Sequence, residues 1–218
     1  MTVGLKGPSR NGVYGADVVD GVGGELGAEA ARRLVRADCC DLAPGLSAAE
    51  IQHVEATYGF EFSADHRAFL MAGLPVASPA REGATWDEPW PDWRNGDPDD
   101  LRYRLRWPVE GVLDAVERGW WAREWNARPV AGSDAVETAK RELAQVPQLV
   151  PVYAHRFLPA GRSSYGHPVL SIWGTDIICY GDDLAAYVDR EFEEEDVDVD
   201  APGVRQQASV DFWKDFLG

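Results

Sequence analysis

The sequence predicts an α+β fold, in which helices pack on a small, mostly antiparallel, twisted sheet. Two β-branched and aromatic runs, Val169 to Trp173 and Asp176 to Tyr180, are divided by Gly174-Thr175, which is typical of a β-hairpin. Apolar residues recur at helical spacing within residues 45–70. At 218 residues and 45% apolar content, the chain is long enough to bury one main core.

Residues 1–44 are rich in glycine and alanine and are interpreted as an N-terminal extension. A helix is predicted from Glu25 to Ala37, and Pro44-Gly45 marks a break after it. The glycines of residues 21–27 have the composition of a dinucleotide-binding loop, but Leu26 takes the place of the third required glycine. A flexible glycine turn is therefore the preferred interpretation of this segment.

Residues 45–70 are predicted to form two capped helices. Ser47 followed by Glu50 is a capping-box pattern, and Gly59 is placed to end the first helix. Ser63 is placed to cap the second helix, which Leu74-Pro75 stops. The apolar face of the first helix is expected to carry Ile51, Val54 and Tyr58.

The middle of the chain is predicted as a long insertion followed by short elements. Residues 75–100 contain proline-rich turn signals and are expected to form a loop. Leu101 to Leu105 alternates apolar and basic residues, which predicts a half-exposed strand. A tryptophan-rich helix at Trp120 to Trp125, a polar helix at Ser133 to Gln145 and a strand at Leu149 to Tyr153 are expected to follow.

The C-terminal third begins with the hairpin and continues into a helix. Gly181-Asp182-Asp183 supplies a turn and a cap, after which Leu184, Val188 and Phe192 recur at helical spacing. Residues 193–218 are interpreted as an acidic linker that leads to an amphipathic terminal helix. The apolar residues of that helix are Val210, Trp213 and Leu217.

Together, the hairpin, cap and helix of residues 164–192 and the two helices of residues 45–70 resemble the SMI1/KNR4 family, also called the SUKH superfamily. The resemblance covers residues 45–192 and includes a Trp-Pro pair at Trp107-Pro108. It departs from the family at Phe62-Ser63, where members commonly have Leu-Pro. The resemblance implies an α+β binding domain without catalytic activity. Bacterial members often neutralise toxins, many of them nucleases, and fungal members are associated with cell-wall synthesis and signalling.

The acidity of the chain is concentrated in two segments. The net charge is −16, of which Glu82 to Asp100 carry −6 and Asp182 to Asp200 carry −9. Such runs are typical of solvated loops or disordered tails, and they also suit an acidic face for a basic protein partner. Direct binding to nucleic acid phosphates or to an anionic membrane is disfavoured, because both need clustered basic residues.

Three tryptophans within the first acidic segment are the predicted anchors of a partner-binding surface. Exposed indoles among carboxylates suit a basic protein surface, since tryptophan is enriched at binding hot spots. The alternative is that the three fold back as a lid over the core. The candidate partner-binding residues are Trp86, Asp87, Glu88, Trp90, Asp92, Trp93, Asp182, Asp183, Glu191, Glu194, Glu195 and Asp196.

No residue pattern predicts a catalytic or metal site. The four histidines and three cysteines lack zinc-ligand spacing, so neither a metal nor a cofactor is predicted. Ser163, Ser164, His167 and Asp176 include the residue types of a hydrolase triad, but they lack the GxSxG motif. We therefore expect a protein that is not an enzyme.

The remaining expectations concern the compartment and the role of the protein. An odd number of cysteines and the lack of a run of ~20 apolar residues predict a soluble, cytoplasmic protein. The strong excess of Arg over Lys is typical of a GC-rich bacterial genome. The predicted function is an immunity protein that neutralises a basic, nuclease-type toxin by direct contact. The alternatives are a regulatory or scaffolding protein of the SMI1/KNR4 type and an enzyme with an unrecognised site.

Overall fold

The protein has an α+β fold, with six helices and two antiparallel sheets in the part of the chain that the structure describes. The structure is a computed structural model that describes residues 13–78, 86–192 and 212–213, with side chains from residue 21 onward. The helices are α1 (Val13–Ala37), α2 (Ala48–Tyr58), α3 (Ala64–Ala72), α4 (Pro98–Glu117), α5 (Gly132–Leu143) and α6 (Leu184–Phe192). The strands are β1 (Asp41–Ala43), β2 (Leu74–Ala77), β3 (Leu149–Tyr153), β4 (Arg156–Pro159), β5 (Val169–Trp173) and β6 (Asp176–Gly181).

The main sheet has the strand order β3-β4-β5-β6, and each strand is antiparallel to the next. The predicted strands at β3, β5 and β6 and the predicted hairpin are confirmed. Strand β4 was not predicted, because it is only four residues long and fully buried and so has no apolar–polar alternation. The small β1-β2 sheet was also missed, since Leu74-Pro75 signalled only the end of a helix.

The four-stranded sheet separates two apolar cores. On one face, Val150, Leu158 and Val169 join a cluster that includes residues of α1, α2, α3 and α6. On the other face, Leu170 and Ile172 join a cluster that includes residues of α4 and α5. Neighbouring residues of β5 thus enter different cores, as the period of two in a strand requires.

Helix α1 packs against α3 and α6 and contributes Ala30 and Leu34 to the main core. The predicted helix is confirmed, but it begins earlier than expected, at Val13. The interpretation of residues 21–27 as a flexible turn is wrong, because they are helical. A Cβ atom at Gly27 would meet the carbonyl oxygen of Asp65, so the glycine allows α1 and α3 to approach closely.

The predicted caps of α2 are confirmed. Ser47 and Glu50 form both hydrogen bonds of the capping box, and Gly59 ends α2 in the left-handed conformation. Ser63 lies at the N-cap of α3 as predicted, but its side chain does not cap the helix. Its hydroxyl instead donates to Asp65 Oδ1 at 2.6 Å, and Asp65 Oδ2 accepts from the Gly166 amide at 2.8 Å. This buried carboxylate therefore connects α3 to the loop that precedes β5.

The predictions for residues 101–105 and 120–125 are wrong. Leu101 to Leu105 lies within α4, and Trp120 to Trp125 is a loop with one turn at residues 123–124. Asp97 caps α4 through the amides of Asp99 and Asp100, and Pro98 stands in the first turn, where it needs no amide partner. The buried residues of α4 recur at helical spacing over the whole helix. This longer pattern, and not the alternation at Leu101 to Leu105, corresponds to the structure. The buried residues are Leu101, Arg104, Pro108, Val112, Ala115 and Val116.

The predicted helix at Ser133 to Gln145 is confirmed as α5 (Gly132–Leu143), and the helix predicted after Asp183 is confirmed as α6. Leu184, Val188 and Phe192 lie on the buried face of α6, and Asp183 accepts a hydrogen bond from the Ala186 amide at 2.8 Å.

Of the predicted terminal helix, the structure describes Phe212 and Trp213 alone, and Val210 and Leu217 lie outside the described residues. Among the helices that are described, none combines the length and the apolar character needed to cross a membrane.

Candidate functional surface

Five aromatic side chains form a continuous surface where α4 meets the end of the four-stranded sheet. We call this set the aromatic row: Trp86, Tyr103, Trp107, Trp173 and His155. From one end to the other, the ring centroids of neighbours are 6.4 Å apart for Trp86–Tyr103, 5.7 Å for Tyr103–Trp107, 5.3 Å for Trp107–Trp173 and 5.8 Å for Trp173–His155. Trp173 is 52% exposed and Tyr103 is 41% exposed, so the row presents ring surface to solvent.

Two contacts join α4 to the hairpin and so fix the centre of the aromatic row. The indole nitrogen of Trp107 donates to the carbonyl oxygen of Ile172 at 3.1 Å. A Cβ atom at Gly111 would lie 2.8 Å from the Cα atom of Gly174, so the helix backbone abuts the hairpin turn. Tyr103 and Trp107 are four residues apart and therefore share one side of α4. The row is held by rigid elements, which limits the conformational entropy that binding would cost.

Arg104 fixes the Trp86 end of the row. Its guanidinium carbon lies 4.7 Å from the centre of the Trp86 ring, within the range of a cation–π contact. The same side chain is buried and donates to Asp100 Oδ2 at 2.6 Å and to the carbonyl oxygen of Glu88 at 2.6 Å. One arginine thus holds the segment after residue 85 against α4.

Exposed carboxylates lie beside two members of the aromatic row, Trp86 and Trp173. Asp87 and Glu88 follow Trp86 and are exposed, and exposed Asp176 is the register partner of Trp173 across the hairpin. Within the described ranges, no basic side chain forms an ion pair with Asp87, Glu88 or Asp176. The arrangement offers apolar ring faces between negative charges, which suits the arginine and lysine side chains of a protein partner.

His155 is a neutral member of the row at pH 7. Burial, and next the charge of Arg156, lower the pKa of His155 to about 4. Its ring meets Trp173 edge to face, with an angle of 83° between the planes. The histidine therefore extends the apolar surface and adds no positive charge that would repel a basic partner.

The structure corrects the expected exposure of Trp90 and Trp93. Trp90 is 3% exposed, stacks on Phe192 and donates its indole hydrogen to Ser78 Oγ at 2.7 Å. Trp93 is 4% exposed and contacts the ring of Phe62 edge to face at 5.4 Å. Both indoles belong to the main core, so neither can contact a partner in this conformation. The alternative, in which all three tryptophans fold back over the core, is what the structure shows for these two, whereas Trp86 is only partly buried against the same core.

Several predicted acidic residues have structural roles. The side chain of Asp92 accepts from the amides of Arg94 and Asn95, each at 3.0 Å, and Asp183 caps α6. Glu191 is nearly buried and pairs with Arg156 at 3.1 Å, so it does not belong to an open acidic face. Asp182 is exposed, as expected. Glu194, Glu195 and Asp196 lie outside the described residues.

The residue types considered for catalysis have other partners or environments. Ser164 Oγ donates to the carbonyl oxygen of Gly161 at 2.7 Å, and burial lowers the pKa of His167. Burial also lowers the pKa of His66, to about 3. Where the structure describes the chain, it contains no group of three or more His, Cys, Asp or Glu side chains that could hold a metal ion.

The sequence analysis missed four members of the aromatic row and found only Trp86. Trp107 and Trp173 are not among the candidate partner-binding residues of the sequence analysis, which also predicts a strand at Tyr103. The alternation in β5 does contain a signal for Trp173, because it lies on the opposite face from Leu170 and Ile172. Tyr103 and Trp107 could be placed together only once α4 was known to be a helix.

Comparisons with protein-family models, with curated proteins and with solved structures find no match to this chain.

Proposed function

We propose that this protein is a non-enzymatic binding domain of the SMI1/KNR4 (SUKH) type that acts as a bacterial, cytoplasmic immunity protein. In this proposal, it neutralises a basic, nuclease-type toxin by direct contact. The resemblance of residues 45–192 to the family and the net charge of −16 support the role. An acidic protein can cover the phosphate-binding surface of a nuclease and exclude its substrate without any chemistry of its own.

The aromatic row between exposed carboxylates is the single observation that carries the proposal. Tryptophan and tyrosine are enriched among the residues that dominate binding energy, and Trp173 and Tyr103 present ring surface to solvent. Asp87, Glu88 and Asp176 would attract a cationic partner and raise its association rate. The proposed contact surface therefore keeps Trp86, Asp87 and Glu88 from the sequence analysis and omits the buried Trp90 and Trp93.

Capture with wild-type protein and a double variant tests the proposal. The protein serves as bait in native lysate at low salt, retained proteins are eluted by raising the salt, and the eluted partner is purified. Trp173→Ala with Tyr103→Ala is expected to weaken that partner's binding by at least ~10-fold, because two anchors are lost. Ile178→Ala is the matched control, since Ile178 is an exposed apolar residue of β6 outside the row.

Each result has a defined meaning. A single basic toxin whose association rate falls steeply between low and about 150 mM salt supports the immunity role. Several housekeeping proteins in the eluate would instead favour the regulatory or scaffolding alternative. Equal binding of the partner to wild type and to the double variant would remove the aromatic row as the contact surface.

A further inference from the structure

A groove beside the aromatic row is lined by two arginines, whereas the residues that flank the row are carboxylates. It lies where the end of α2, the first half of α4 and the residue before β3 meet, and it encloses about 230 Å³. Thr57, Tyr58, Arg102, Leu105, Arg106 and Gln148 line it. Arg102 and Arg106 precede Tyr103 and Trp107 by one residue each, so they face about 100° away from the row around α4.

The polar side chains of the groove can all donate hydrogen bonds, and no carboxylate lines it. Arg102 Nη1 donates to Asp99 at 3.0 Å and Arg106 Nε donates to Glu110 at 2.9 Å. These bonds leave most of the five N–H donors of each guanidinium for another partner. Both pairs are exposed on one helix, and such pairs hold weakly against a competing anion.

Tyr58 and Leu105 give part of the groove wall an apolar surface. The guanidinium carbon of Arg102 lies 5.8 Å from the centre of the Tyr58 ring. Leu105 lies between the two arginines in sequence and packs on the main core. An anion held by Arg102 and Arg106 would therefore have ring and aliphatic surface beside it for a flat substituent.

We propose that this groove is a binding site for a phosphate group, either free or carried by a small organic molecule. Two arginines four residues apart stand about 6 Å from each other along a helix, close enough to share one tetrahedral dianion. Arginine suits phosphate because its planar fork donates two parallel hydrogen bonds. A groove that is lined by two arginines and by no carboxylate is consistent with recognition of an anion, even in a chain with a net charge of −16.

Calorimetric titration of the full chain tests the site with two probes, inorganic phosphate and phenyl phosphate, at constant ionic strength. We expect saturable binding of one probe molecule per chain. The variant Arg102→Ala with Arg106→Ala is expected to bind at least ~10-fold more weakly, since it loses charge-assisted hydrogen bonds. Tighter binding of phenyl phosphate would assign the site to substituted phosphates, whereas equal binding would assign it to the free ion.

The control variant is Arg118→Ala with Arg123→Ala, which makes the same change in charge at two exposed arginines outside the groove. It is expected to bind phosphate within about twofold of wild type. An equal loss of phosphate affinity in both variants would show that the effect depends only on the net charge of the protein, and it would contradict the proposed site. Absence of saturable binding for both probes would also overturn it.

A measurement on the wild-type protein tests the site independently of how well the variants fold. In a phosphate titration followed by NMR, the amide signals of Thr57, Leu105 and Gln148 are expected to shift together along one saturation curve. Shifts confined to residues outside the groove would contradict the proposal, whatever the variants do.

Discussion

Arg94 joins the insertion to the first turn of α2 by donating from its Nε to Glu50 Oε1 at 2.5 Å. Its two other nitrogens donate to the carbonyl oxygens of Pro44 and Gly45 at 2.9 and 3.0 Å. Glu50 also accepts from the amide and hydroxyl of Ser47. The bond from Arg94, followed by those from Ser47, lowers the pKa of Glu50 from its ordinary 4.5 to about 2.

Glu50→Gln is expected to flatten the acid dependence of stability. Because the pKa of Glu50 is lower in the folded state, its ionised form stabilises the fold fully above pH 4.5, and this contribution is lost as the pH falls towards 2. Urea unfolding between pH 6 and about 2.5 should show a smaller fall in stability for the variant than for wild type. Glu117→Gln, at an exposed position of α4, is the control, and identical pH curves for all three proteins would contradict this linkage.

Gly27→Ala and Gly24→Ala should have opposite effects on stability. A Cβ atom at Gly27 would collide with the backbone of α3, so this substitution is expected to cost ~1–3 kcal/mol. At Gly24 no atom lies within 4 Å of a Cβ atom, and alanine there should stabilise α1 by ~0.5–1 kcal/mol. Urea unfolding measures both, and equal effects would show that α1 does not approach α3 closely at Gly27.

Trp93→Ala should destabilise the fold by ~3–5 kcal/mol, because it leaves a cavity in the main core. Trp93→Phe should cost much less than the alanine variant. The buried indole nitrogen of Trp93 has no hydrogen-bond partner among the described residues, so replacing the indole with the phenyl ring breaks no hydrogen bond. Chemical unfolding of the two variants tests this, and equal costs would refute the cavity argument.

Trp213→Ala is expected to destabilise the second core, again by ~3–5 kcal/mol. The Trp213 side chain is buried, and its indole nitrogen donates to the carbonyl oxygen of Pro147 at 2.8 Å. Trp173→Ala, which removes a half-exposed indole and its ring contacts with Trp107 and His155, should cost less, ~1–2 kcal/mol. Thermal unfolding would separate the two, and a similar loss for both would place Trp173 in the core.

Local signals in the sequence were sufficient for about half of the fold. The capping box at Ser47, the glycine at 59 and the hairpin turn at Gly174 act over a few residues, and each predicted its element correctly. Strand β4 and helix α4 depend on partners far along the chain. Leu101 to Leu105 is helical because buried residues recur at helical spacing along all of α4. Five alternating residues taken alone do not reveal that pattern.

The candidate surface was less predictable than the fold. Exposure of a tryptophan depends on what folds over it, and the acidic composition around Trp90 and Trp93 suggested solvent where the structure has core. Two arginines hold this segment against the domain. Arg94, within the segment, donates to the carbonyl oxygen of Gly45, and Arg104, on α4, donates to the carbonyl oxygen of Glu88. No composition signal distinguishes an arginine that holds a loop from one that lies free in solvent.

The contact of α1 with α6 has a consequence for the order in which the protein folds during synthesis. Arg33 of α1 pairs with Asp189 of α6, and 156 positions separate the two residues in the sequence. A nascent chain therefore exposes part of the packing face of α1 until residue 192 has left the ribosome. Contacts of such long range slow folding, and α1 therefore remains without one of its neighbours until α6 has been synthesised.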